Sequence, residues 1–161
     1  MRGMTTTDIE LALAKYFGVR THIMVPNVSW GAGFSDEKDL IVVRASGYVV
    51  ECEIKRSFSD FKNDFKKRKW KKYPNLSPTI REFYYVFPEE LWRKRKSDIE
   101  ALIQPFAGVM FVSKKWNQAS IAVKAKPNKL ARKMNDKQKL MIARLGMLRM
   151  WSLKKQLNSK S

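Results

Sequence analysis

The sequence predicts an α/β domain with a mixed central sheet flanked by helices. Three observations carry this prediction. Segments of helical period alternate with short segments of strand period. Two β-rich runs are separated only by Ala45-Ser46-Gly47, a short hairpin connection. The chain has 161 residues, 44% hydrophobic and 30% charged, which is the balance of a globular domain large enough to bury a core.

In chain order, Thr7 followed by Glu10 is a capping-box pattern. Ile9, Leu11, Leu13, Ala14 and Phe17 then give a mostly apolar helix that stops at Gly18. Residues 22–25 read as a short strand, and residues 26–38, with Gly31, Gly33 and Asp36, as a loop. Residues 39–44 and 48–55 are the two arms of the hairpin. Ser57 and Asp60 open a helix with Phe58, Phe61 and Phe65 on one face. Pro74 and Pro78 mark a loop, and residues 83–87 are a run of strand formers. Pro88 begins a short basic helix, residues 97–104 read as another helix, and residues 109–112 and 119–123 as two further strands. Asn135 caps a long helix that contains Leu140, Met141, Leu145, Leu148 and Trp151. Composition shifts before that helix: residues 124–161 hold twelve Lys or Arg and one acid, Asp136. The chain therefore divides into a domain over residues 1–126 and a basic helical extension over residues 127–161.

Charge narrows the function. Lys and Arg number 33 against 15 Asp and Glu, a formal +18. Such an excess opposes compact folding by self-repulsion, so an anionic partner is expected. Nucleic acid fits best, because each cation that neutralises a phosphate releases a counterion. The single cysteine, Cys52, excludes an intramolecular disulfide and a thiolate metal cluster. His22 is the only histidine, which argues against zinc and for a structural role. Residues 1–10 lack a signal-peptide core, and no apolar run approaches the roughly 18 residues that span a bilayer. A cytoplasmic protein, bacterial or of a phage-infected host cell, with no membrane partner is expected. No phosphate-binding glycine loop is visible, since Gly31 and Gly33 alone match neither nucleotide-binding pattern.

The chemistry concentrates in residues 39–55. Strand alternation puts Glu51, Glu53 and Lys55 on one face, with Val50, Cys52 and Ile54 on the other. Three charged side chains on one face of an apolar strand are costly to bury unless they are paired or liganded. A neighbouring arm that begins at Asp39 can bring its carboxylate to Glu53. Two converging carboxylates make a hard-oxygen site suited to Mg2+ or Mn2+. A lysine beside them can stabilise phosphate charge, or orient and deprotonate an attacking water.

Asp39, a hairpin, then Glu53-Ile54-Lys55 resembles the D…(D/E)xK core of the PD-(D/E)xK nuclease superfamily, although Lys38 stands where the superfamily has a proline. Glu10 on a preceding helix matches the extra acid that many members carry. The helix with Ser57, Asp60, Phe61 and Asp64, and the strand running from Phe83 to Pro88, resemble the MmcB-like, DNA-repair-related and phage-borne nuclease-like proteins. The resemblance implies a restriction-endonuclease-like core and a metal-dependent deoxyribonuclease of repair, recombination or phage DNA processing. By it, Asp39 and Glu53 bind the metal with the Ile54 carbonyl, Lys55 positions water or phosphate, and Glu10 acts through a metal-bound water. Glu51 shares the face and can assist. Two-fold dimers are frequent among nucleases that cut both strands, so a homodimer is compatible with this reading.

Basic residues beside the strand complete the picture. Lys66, Lys67, Arg68, Lys69, Lys71 and Lys72 surround Trp70, with Lys62 just before them. They are placed to grip DNA phosphates, and Trp70 or Tyr73 to stack on an unpaired base. Arg93-Lys94-Arg95-Lys96 is a second basic cluster, readable as contact or as plain surface. The competing reading is a non-catalytic DNA- or RNA-binding protein with a degenerate nuclease fold. A third is a membrane-surface protein that uses its basic tail.

Overall fold

The computed structural model describes residues 2–28, 34, 36–65 and 77–161. These form four helices and one six-stranded sheet, so the chain is α/β with a central mixed sheet flanked by helices, as expected.

Helix α1 (Thr6–Phe17) is capped by Thr5, whose hydroxyl accepts from the Asp8 amide while Asp8 bonds back to the Thr5 amide. The capping box is thus Thr5/Asp8, two residues before the Thr7/Glu10 pattern. Gly18 ends the helix at φ 87°, the left-handed geometry that glycine adopts freely. Strand β1 (Ile23–Val28) runs through Pro26. A proline is tolerated there because β1 is an edge strand, paired only with β2. Strands β2 (Lys38–Val43) and β3 (Val49–Ile54) form the antiparallel hairpin, with Leu40 opposite Cys52 and Ile41 opposite Glu51.

Helix α2 (Phe58–Asp64) starts where Ser57 accepts from the Asp60 amide. It leads to β4 (Ile80–Pro88), which lies parallel to β3. The two helices expected after Pro88 are present as α3 (Glu89–Leu102), two helical segments joined across a kink at Arg95 (φ −120°, ψ 18°). The second segment begins just before Ser97, the expected start of the second helix. Strand β5 (Gly108–Ser113) is parallel to β4, and β6 (Gln118–Val123) closes the far edge antiparallel.

The two sheet faces are covered differently. On one, Ile9, Ala12 and Leu13 of α1 pack with Leu40, Val42, Val50, Cys52, Ile54, Tyr84 and Val86. On the other, Phe61 of α2 and Trp92 and Ile99 of α3 pack on Phe83, Tyr85 and Phe87. Beside them, Ile142 and Met134 pack on Val25, Ile41, Val43 and Val49. Ile142 belongs to α4 (Asp136–Ser159), whose Asn135/Gln138 capping box confirms the expected start. From Met147 onward every residue of α4 is exposed.

Gly108 shows how tightly β5 is seated. A Cβ there would lie 2.4 and 2.5 Å from Tyr84 ring carbons and 2.6 Å from the Ala125 nitrogen. Gly108→Ala is expected to cost about 2–3 kcal/mol by overpacking, measured by urea unfolding. Gly3→Ala, which meets nothing within 4 Å, is the neutral control.

Candidate active site

The site grows from the β2–β3 register. Since Leu40 faces Cys52, the next step places Asp39 across from Glu53. On β3's other side, Glu51 pairs in register with Phe83 and Glu53 with Tyr85. Glu51 and Glu53 therefore lie between two apolar packs, one under α4 and one under α2 and α3. Both are buried, as is Lys55, at 0, 5 and 4% exposure respectively. The predicted alternation holds: Val50, Cys52 and Ile54 point into the opposite core. Burial also pushes the Cys52 thiol far up, so it is an inert core residue.

Buried charges must find partners, and these do. Lys55 Nζ donates to Glu53 Oε1 at 3.0 Å and lies 3.0 Å from Asp64 Oδ1 at the end of α2, with Asp60 at 4.0 Å. Burial alone would lower the Lys55 pKa, but Glu53 and Asp64 outweigh it and hold the amine above the ordinary lysine value. Lys55 is thus a fixed ammonium. As an ammonium it can donate to phosphate oxygens.

Glu51 is engaged by Lys38 at 3.2 Å, and Lys38 also by Asp36 at 2.9 Å. Lys38, at the position before Asp39, is itself only 3% exposed. Nothing in the sequence marked it as the counter-ion of Glu51.

Asp39 differs from its neighbours. Its Oδ2 accepts the Ile54 amide at 2.7 Å. Burial first, and then the Glu53 charge, raise its pKa to about 6, against the opposing pull of that hydrogen bond and of Lys55. Asp39 and Glu53 are therefore two carboxylates held close with incomplete compensation. The Oε2 of Glu53 is buried and has no hydrogen-bond partner among the described residues.

Other expected residues fall outside this unit. Glu10 sits on α1, which packs on the opposite sheet face, and burial alone raises its carboxyl. His22 Nδ1 accepts the Ala45 amide at 3.0 Å, a structural role in tying the hairpin turn. Lys62 is exposed on α2. Lys66, Lys67, Arg68, Lys69, Trp70, Lys71, Lys72 and Tyr73 lie outside the described residues, as do Gly31 and Gly33. No helix among the described residues is long and apolar enough to cross a membrane.

No family model matches the chain, and no curated protein is significantly similar to it. Among solved structures it is similar to the SPO1766 protein of unknown function from Silicibacter pomeroyi. The identity is 13% and the TM-score 0.61, over 98% of this chain and 94% of that one. At that identity the likeness is one of fold.

Proposed function

We propose that this chain is a divalent-metal-dependent deoxyribonuclease acting in repair, recombination or phage DNA processing. The observation that carries the reading is the convergence of half-buried Asp39 with buried Glu53 and Lys55 at the end of β3. Asp39 and Glu53 supply hard oxygen donors, and the unpartnered Glu53 Oε2 is an acceptor that a cation would satisfy. Among the described residues no group of three or more His, Cys, Asp or Glu is arranged to hold a metal ion. The two carboxylates, the Ile54 carbonyl and water would therefore make up the coordination, a pattern that suits Mg2+ or Mn2+. Such an ion supplies Lewis-acid stabilisation of phosphate charge and makes water a better nucleophile at neutral pH.

The protein's own contributions follow from its geometry. Asp64 and Glu53 clamp Lys55 so that its ammonium is oriented before a phosphate arrives. Asp39 is held in place by the Ile54 amide and Glu53 by buried Lys55, so the carboxylate pair is preorganised. The formal net charge of +18 draws the polyanion in.

One observation favours a second reading, a non-catalytic nucleic-acid-binding protein. Lys55 already bridges Glu53 and Asp64, as a retired site internally neutralised by a salt bridge would. Labelled single-stranded, duplex, flap, branched and RNA substrates, each incubated with Mg2+, Mn2+ or EDTA, separate the two. Turnover of a DNA substrate in metal but not in EDTA is the expected result. Binding without turnover in either metal selects the second reading.

A further inference from the structure

Helix α2 has two working flanks. One carries Asp64, bonded to Lys55 on β3. The other carries Phe58, whose ring is met by Lys62 Nζ at 5.2 Å from its own helix and by Arg95 Cζ at 5.1 Å from α3. Arg95 reaches that ring at the one non-helical residue of α3, within the run Arg93-Lys94-Arg95-Lys96. Phe58 thus joins the basic surfaces of α2 and α3 into one, with the acidic site on the far flank of α2.

The cations of this surface are not equally compensated. Arg93 pairs with Glu89 and Arg95 with Asp98. Among the described residues no carboxylate pairs with Lys62, Lys94 or Lys96, and all three are exposed. Four consecutive cations repel one another along a helix, and spacing of i,i+3 does so directly. An arrangement that weakens the helix while leaving lysines free is the mark of a surface kept for an anionic partner.

We infer that the α2–α3 junction, with Lys62, Lys94, Lys96 and Arg95 braced on Phe58, is a phosphate-backbone contact for the DNA strand that leads away from the Asp39–Glu53–Lys55 site. This rests on the nuclease reading and adds a substrate requirement to it. A helix is about 10 Å across, and a strand of duplex rises about 3.4 Å per phosphate. The strand must therefore continue about three nucleotides past the site to cross α2 before it meets these cations.

The test compares wild type with Lys94→Glu/Lys96→Glu, and with Lys15→Glu/Arg20→Glu as a control of equal charge change at the end of α1. Affinity for a labelled long duplex is measured against salt, and cleavage against duplex length beyond the cut. The Lys94/Lys96 variant is expected to bind at least tenfold more weakly, with a slope of log affinity against log salt shallower by about 2. Its melting temperature should be unchanged or higher, because like-charge repulsion has been relieved. The defect should vanish on substrates too short to cross α2. Unchanged affinity and slope in the Lys94/Lys96 variant, beside a wild type that binds, would overturn the inference alone, as would an equal loss in the α1 control. A wild type that binds no nucleic acid would overturn the nuclease reading as well.

Discussion

Asp39→Asn is expected to abolish metal-dependent cleavage while making the protein more stable at neutral pH. The amide can still accept the Ile54 amide hydrogen, so the strand end stays in place. What it removes is a carboxylate whose pKa is raised from 3.8 to about 6 by burial and by Glu53. In the unfolded chain that carboxylate loses its proton near the ordinary value, and in the folded chain only near 6. Between these two values the folded state holds more protons, so wild-type stability falls as pH rises through the window. Above about pH 6 the full penalty applies, on the order of 2–3 kcal/mol. The variant should therefore melt higher than wild type at pH 7.5, and the difference should shrink towards pH 4. Cleavage should fall on the order of 1,000-fold or more, as for loss of a group that acts only within an assembled site. A variant that is inactive and less stable at every pH would mean that Asp39 serves packing.

Lys55→Met is expected to shift stability in the opposite direction. It preserves length and removes the ammonium that lies 3.0 Å from both Glu53 and Asp64. Two buried carboxylates would then face each other without a counter-charge, a loss of about 3–5 kcal/mol for breaking a buried pair. The wild-type contribution has the sign expected of a raised amine: present throughout the range below the ordinary lysine pKa, and lost only in strong alkali. Urea unfolding at neutral pH measures the loss. An unchanged or higher stability would mean that the ion pairs of Lys55 do not hold the strand end in place.

These opposite effects come from one strand, and that strand was the most legible part of the sequence. The hairpin at 45–47, the alternation of residues 50–55 and the Ser57 cap are local signals, and each appears in the structure as read. The start of α1 was misread because Thr5-x-x-Asp8 and Thr7-x-x-Glu10 are overlapping patterns of the same form. The earlier one wins where Met4 is buried ahead of the helix. The break in α3 is legible at Ser97, a helix-start residue that follows the kink at Arg95 by two positions. Within the site, Asp39 and Glu53 were legible from the pairing of strand arms. Asp60 and Asp64 stand four residues apart on α2, but which lysine Asp64 holds depends on how α2 folds back on β3. The capture of Glu51 by Lys38 is a purely tertiary event, with no periodicity to announce it. Glu10 matched a family position in sequence, yet α1 lies on the other face of the sheet.

The central claim is that Asp39 and Glu53 form one cation site, and thermal unfolding of wild type and Asp39→Asn across a Mg2+ and Mn2+ titration tests it most directly. The account predicts that the wild type gains stability with added metal, by about 2.7 kcal/mol at one hundred times its dissociation constant. The variant, already the more stable of the two without metal, should gain nothing. A wild type that is indifferent to both ions, or a variant that responds equally, would contradict it.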